Sequence, residues 1–210
     1  MPTFDLERAI LAERPAAVIA GIDEAGRGPW AGPVVAAAVV FDAAALPRSL
    51  AREIDDSKKL TATARDTLFA ALHDCAAARI GVGRADVAEI DAVNILQATY
   101  RAMARAVNAL GRPVDVALVD GNGAPTLDCA VRAVVGGDAV SLSIAAASIV
   151  AKVTRDRIMR ELAVRHPGYG WETNMGYGTP EHQAALARLG PTPYHRTSFA
   201  PIRALVTPSA

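Results

Sequence analysis

The chain has 210 residues, 51% of them apolar and only 5% aromatic, and its 22 basic and 22 acidic residues cancel. That length fits one domain with room for a small appendage, with a core built of Ala, Val, Leu and Ile. Zero net charge argues against a uniformly basic nucleic-acid-binding chain, though not against one whose acids gather at a site while its bases line a groove.

No apolar run approaches membrane length, so no membrane association is expected. Cys75 and Cys129 have no repeated spacing and read as free buried thiols of a reducing compartment. Asp5, Glu7, Arg8, Glu13 and Arg14 make the N-terminus unlike a signal peptide. A cytoplasmic monomer is the expectation.

A partly helical lead-in over 1–14 precedes a first apolar strand over 16–23. This strand ends in Asp23-Glu24 and runs into Gly26-Arg27-Gly28-Pro29. Adjacent acids repel, and closely spaced glycines cost backbone entropy. Two readings are open. One is a polar turn after an edge strand. The other is a divalent-metal site beside a backbone that a phosphate or sugar can approach. A valine-rich strand over 33–41 follows, linked so as to suit an antiparallel pair, and 47–54 reads as surface connection. Ser57-Lys58-Lys59 comes before Thr61, which caps a helix over 62–78. The two lysines are either a solvated lead-in or a phosphate contact near a helix N-terminus.

A third strand covers 79–85. Its Gly81-Val82-Gly83 is not a dinucleotide fingerprint, because Asp86 stands where the third glycine belongs. Apolar residues at steps of three and four predict one amphipathic helix over 91–110. A buried strand over 114–119 delivers Asp120 beside Gly121, and a further strand over 129–135 ends in Gly136-Gly137-Asp138. Acids at strand ends beside glycine thus occur three times, where α/β proteins build their sites. A long helix over 141–165 has a small-residue first half and a charged second half with Lys152, Arg155 and Asp156, the last read as an i,i+4 structural partner. Beyond the break at His166-Pro167-Gly168 lie a glycine-flanked loop with Tyr177, a short helix over 180–189, and a tail after Ile202 expected to be poorly ordered.

Hard cations such as Mg²⁺ and Mn²⁺ choose oxygen ligands, so carboxylates without Cys or His spacing point to them and not to zinc. The four histidines show no ligand spacing. Asp23 and Glu24 can share a site only if the chain leaves strand geometry there, or if Glu24 contributes its backbone carbonyl, because a regular strand sends neighbouring side chains to opposite faces.

Five stretches carry a resemblance. Asp-Glu-Ala-Gly-Arg-Gly-Pro (23–29), Asp-Ser-Lys-Lys-Leu-Thr (56–61), the acid-bearing strands, Ser-Ile-Ala-Ala-Ala-Ser-Ile-Val-Ala-Lys-Val-Thr-Arg-Asp (143–156) and the C-terminal Tyr177 and Tyr194–Phe199 segments occur in the order of the ribonuclease HII family. The chain resembles that family from about residue 18 to 200; Met175 departs from it, standing where a basic residue is more usual. The resemblance implies an α/β fold of the ribonuclease H type: a mixed five-stranded sheet with flanking helices and a small helical C-terminal cap, as a catalytic core over 1–165 and a cap and tail over 166–210.

It further implies Asp23, Glu24, Asp120 and Asp138 as catalytic and metal-binding residues. The implied reaction is two-ion hydrolysis on the 5′ side of a ribonucleotide, in RNA/DNA hybrids or in duplex DNA with embedded ribonucleotides, leaving 3′-hydroxyl and 5′-phosphate ends. Ribonucleotide removal and primer RNA removal are the implied roles, with Mn²⁺ or Mg²⁺ as cofactor. Gly26, Arg27, Gly28 and Tyr177 are candidates for reading the 2′-hydroxyl, and Ser57, Lys58, Lys59, Lys152 and Arg155 for phosphate contacts. Ribonuclease HIII, with an extra N-terminal domain, is a close rival. A nucleic-acid-binding protein of the same fold without catalysis is the rival of another class, and a sugar-phosphate enzyme built on Gly-Arg-Gly is a third.

Overall fold

The computed structural model describes residues 1–206. Five strands form one sheet: β1 (Ile19–Ala25), β2 (Val34–Phe41), β3 (Ala78–Ala85), β4 (Val116–Asp120) and β5 (Ala130–Val134), in spatial order β3-β2-β1-β4-β5. The first three are antiparallel neighbours, whereas β4 runs parallel to β1, and β5 parallel to β4. This is the mixed five-stranded sheet expected from the family resemblance. The helices are α1 (Asp5–Glu13), α2 (Arg48–Glu53), α3 (Ala62–Asp74), α4 (Val87–Val93), α5 (Ile95–Ala109), α6 (Leu142–Arg165), α7 (Trp171–Asn174), α8 (Pro180–Leu189) and α9 (Ala200–Val206).

The alternation of strand side chains assigns the two faces. Ala20, Ile22, Ala36, Ala38, Ala117 and Val119 pack beneath α5 with Met103 and Ala106. Ala37 and Val39 point the other way, into a second core with α3 and the Ala145–Ala151 stretch of α6. The small residues of α6 let it lie close on the sheet, and Leu142 to Ala151 are all buried. Gly81 and Gly83 have the matching role on β3: a Cβ at either would run into the backbone of α5. Close helix packing, not nucleotide binding, accounts for that pair.

Four expectations change at this level. The helix expected over 62–78 ends at Asp74, and Ala78 already opens β3. The single helix over 91–110 is two helices, because Asn94 adopts a positive φ of 70° and its side chain caps α5 by accepting from the Gln97 N–H at 3.1 Å. The connection over 47–54 contains the short helix α2. The segment after Ile202 continues in α9 to Val206, and the rest of the tail lies outside the described residues. Both cysteines are only partly buried, with burial pushing the Cys129 thiol up. Among the described residues no helix is long and apolar enough to cross a membrane.

Candidate active site

β1 and β4 are parallel and pair up to Ile22 and Val119. One residue further, both strands carry an aspartate, Asp23 and Asp120, on the face that α6 covers. The third acid arrives from the loop after β5. There a left-handed Gly136 turns the chain into a 3₁₀ turn, Gly137–Ala139, that presents Asp138 just before α6 begins. One carboxylate oxygen from each of Asp23, Asp120 and Asp138 lies within 4.8 Å of the others. Residues 97 and 115 positions apart thus meet because a parallel pair ends where a helix starts.

Each acid is held by its surroundings. The Asp23 carboxylate accepts the Glu24 N–H at 2.7 Å, Asp120 accepts the Gly137 N–H at 2.6 Å, and Asp138 accepts the Lys58 ammonium at 3.0 Å. Asp23 is 4% exposed. Burial foremost, then the charges of Glu24 and Asp120, push its carboxyl well above the usual range, with the Ser148 hydroxyl pulling the other way. Glu24 is also pushed up by burial; Arg27 opposes this and Asp120 adds to it. Buried carboxylates that repel one another in this way have much to gain from a cation. The donors are all hard oxygens, with no Cys or His among them, so the residues fit Mg²⁺ or Mn²⁺.

Glu24 behaves as strand geometry demands. β1 stays paired with β2 through Ala25, so the chain does not leave the strand between the two acids. The Glu24 side chain accordingly stands outside the group of three, 3.4 Å from the Arg27 guanidinium. It still lines the same cleft, a hollow of about 350 Å³ that also touches Asp23, Gly26–Gly28, Ser57, Lys58, Asp120, Lys152 and Tyr177.

The remaining candidates divide. Tyr177 is 48% exposed at the cleft wall, and a Cβ on Gly28 would lie 3.4 Å from its ring. Lys152 reaches the cleft but bonds Asp156 at 2.8 Å, the i,i+4 pair expected. Ser57 is buried and shares a 2.8 Å hydrogen bond with Ser148, so it supports the wall beside Asp23 instead of offering a free hydroxyl. Lys59 points away to Asp55 at 3.8 Å and does not line the cleft. Arg155 touches the cleft, but it is 1% exposed and its guanidinium donates to the carbonyls of Pro33, Ala31 and Met175, so the charge expected to meet a phosphate is directed inward. Sequence reasoning missed two residues. Glu7, buried, accepts from the Ser141 and Ser143 hydroxyls and anchors the start of α6 next to Asp138. Arg196, fully buried, binds the carbonyls of Gly26, Arg27 and Gly32. Its Tyr-His-Arg-Thr-Ser-Phe context marks the segment but not these bonds.

Comparison with known proteins agrees with this geometry. The ribonuclease HII family model matches residues 20–202. The chain belongs to the ribonuclease HII family. The Rhodospirillum rubrum ribonuclease HII is 58% identical over 210 residues, covering 100% of this chain and 94% of that one. Among solved structures, ribonuclease H2 from Pyrococcus horikoshii superposes with a TM-score of 0.74 at 29% identity, over 89% of this chain and 96% of that one. Bst-RNase HIII in complex with Mn²⁺ shares the fold, with a TM-score of 0.68 at 19% identity over 92% of this chain and 71% of that one. Membership in the ribonuclease HII family makes the chain a ribonuclease H-type hydrolase, and the non-catalytic and sugar-phosphate readings fall away.

The buried acids have a stability signature. The Asp23 carboxyl keeps its proton to higher pH in the folded chain than its ordinary 3.8. The folded state therefore binds more protons than the unfolded one in the window above 3.8, and stability falls as pH rises through the raised value. Above that window the buried charge is a standing cost. Asp23→Asn removes it, so the metal-free variant should melt higher than the wild type at neutral pH, by about 2–4 °C per kcal/mol relieved in a domain of this size. Thermal melts in chelator from pH 4 to 8 check this; an unchanged or lower Tm would contradict it.

Proposed function

We propose that the chain is an endonuclease that hydrolyses the phosphodiester on the 5′ side of a ribonucleotide, in RNA/DNA hybrids and in duplex DNA with embedded ribonucleotides. The products are a 3′-hydroxyl and a 5′-phosphate, and the roles are ribonucleotide removal and primer RNA removal. The observation that carries the reading is the meeting of Asp23, Asp120 and Asp138 within 4.8 Å at the open end of β1 and β4. These acids hold the divalent cations, Mg²⁺ or Mn²⁺, and Glu24 on the same cleft completes the set. When bound, such ions supply an activated water and charge stabilisation at the leaving 3′-oxygen.

The protein's own groups do the rest. Asp23 and Asp120, fixed by backbone N–H donors, keep their oxygens aimed into the cleft without rearrangement. Lys58, whose ammonium is largely solvent-exposed while bonded to Asp138, can exchange that partner for a substrate phosphate. Lys152 offers a second positive charge on the cleft wall. The 2′-hydroxyl is the handle that separates RNA from DNA at the cut, and Gly26–Gly28 with Tyr177 are the groups that read it. The decisive experiment is digestion of a labelled DNA duplex with one embedded ribonucleotide, with both new ends identified. A single cut 5′ of the ribonucleotide is expected, and no cut there, or a cut at deoxy positions alike, would refute the reading.

Tyr177 supplies a finer test. Its ring, half-exposed between Gly176 and Gly178, is placed to lie against the sugar, a contact worth roughly 1–3 kcal/mol by analogy with base stacking. Tyr177→Ala should slow cleavage at a single ribonucleotide about 5- to 150-fold with little change in Tm. Tyr177→Phe should fall between the two. A variant that melts much earlier but cleaves at the wild-type rate when folded would assign the ring to packing.

A further inference from the structure

Two arginines lie fully inside the protein with no carboxylate within 4.0 Å of either guanidinium among the described residues. An uncompensated buried charge is costly, and the usual remedy is an acid partner. Here every donor used goes to a backbone carbonyl. Arg196 Nε and Nη2 donate to Gly32 O at 3.0 and 2.9 Å, Nη1 to Arg27 O at 2.9 Å, and Nη2 also to Gly26 O at 2.6 Å. Arg155 donates to Pro33 O at 3.0 Å, Ala31 O at 3.1 Å and Met175 O at 3.0 Å.

The accepting carbonyls define what the pair does. Together they belong to both ends of the loop over 26–33 and to the turn over 174–177. Arg196 pins the two ends of the glycine loop to each other. Arg155 ties that loop to Met175, two residues before Tyr177. With the Gly26 and Arg27 carbonyls drawn inward to a guanidinium, the loop's conformation is set from beneath. The loop is also built for this arrangement: Gly26 has a φ of 97°, and a Cβ there would collide with the Arg155 side chain. Burial lowers the Arg155 guanidinium to about 10, and burial followed by the nearby Arg155 charge lowers that of Arg196 to about 9, so both stay charged at neutral pH.

We propose that Arg155 and Arg196 are positioning residues for sugar selectivity: a two-guanidinium brace that fixes the Gly26–Gly28 backbone and Tyr177 at the separation a ribonucleotide requires. The proposal rests on the reading that these two segments contact the ribose. It assigns to the brace the discrimination between ribose and deoxyribose, and not the binding of metal, which belongs to the aspartates.

The test uses Arg196→Lys, which keeps the charge and the long stem but loses the planar fork, and Arg196→Ala with and without added guanidinium ion. All are made in the Asp120→Asn background so that substrate is held without turnover. The readout is the ratio of affinities for a duplex carrying one ribonucleotide and for the all-deoxy duplex. Alongside it, Mn²⁺ binding to the same arginine variants carrying wild-type Asp120 is followed by the loss of the free-ion resonance signal.

The ratio is expected to fall at least tenfold in both variants and to recover in Arg196→Ala as guanidinium is added at millimolar levels. Mn²⁺ affinity is expected to stay within twofold of wild type. A folded Arg196→Lys that keeps the full ribose preference would overturn the proposal, as would a loss of Mn²⁺ binding equal to the loss of preference. A parent protein with no ribose preference at all would overturn the sugar-reading itself, and the brace with it.

Discussion

Asp120→Asn is expected to abolish cleavage while the duplex stays bound. The amide keeps an oxygen for the Gly137 N–H that Asp120 accepts at 2.6 Å, so the turn carrying Asp138 keeps its anchor. The charge is lost and the second oxygen becomes an amide donor. If the carboxylate holds a cation that contributes several kcal/mol of transition-state stabilisation, turnover should drop by about 10³-fold or more. Binding should be retained or tightened, because a negative charge facing the phosphate backbone is removed. Asp23→Asn should do the same to the rate, with the gain in metal-free stability already described. Rates at saturating Mg²⁺ and anisotropy titrations of a labelled duplex measure the two effects. Near-normal turnover in either variant would remove the aspartates from the chemistry.

Chelation should have the second large effect. Excess chelator should abolish activity reversibly. Mg²⁺ or Mn²⁺ should restore it, and Ca²⁺ should not, because Ca²⁺ takes longer bonds and a looser, higher coordination than a tight site of three carboxylates favours. The chelated protein should remain folded, since Asp23, Asp120 and Asp138 each keep a protein hydrogen bond without the ion. If Lys58 and Lys152 meet the phosphates as proposed, duplex binding should weaken as salt rises. Full activity in excess chelator would contradict a metal-dependent reaction.

What was legible in the sequence was what is written locally. Apolar runs ending in an acid beside glycine marked the ends of β1 and β4 and the turn after β5, and three of the four expected acids converge there. The small-residue half of α6 foretold its close packing on the sheet, and the Lys152–Asp156 pair followed from helical spacing.

What was not legible depended on contacts between distant segments. Charge alone suggested that Arg155 meets phosphate, but its helical position turns it inward under the glycine loop, where three carbonyls lie. Arg196 is 170 residues from Gly26 and nothing local announces their bond. Glu7 looked like one more charge in a lead-in, yet it reaches across 134 residues to Ser141. The break at Asn94 was hidden because the apolar period continues on both sides of this one residue of positive φ.

The most direct measurement is the anomalous-scattering map of crystals grown or soaked with Mn²⁺. A peak bounded by carboxylate oxygens of Asp23, Asp120 and Asp138 is the expected result, weakened or lost in crystals of Asp138→Asn. Mn²⁺ bound elsewhere on the chain, with no peak among these three aspartates at concentrations that support cleavage, would contradict the account.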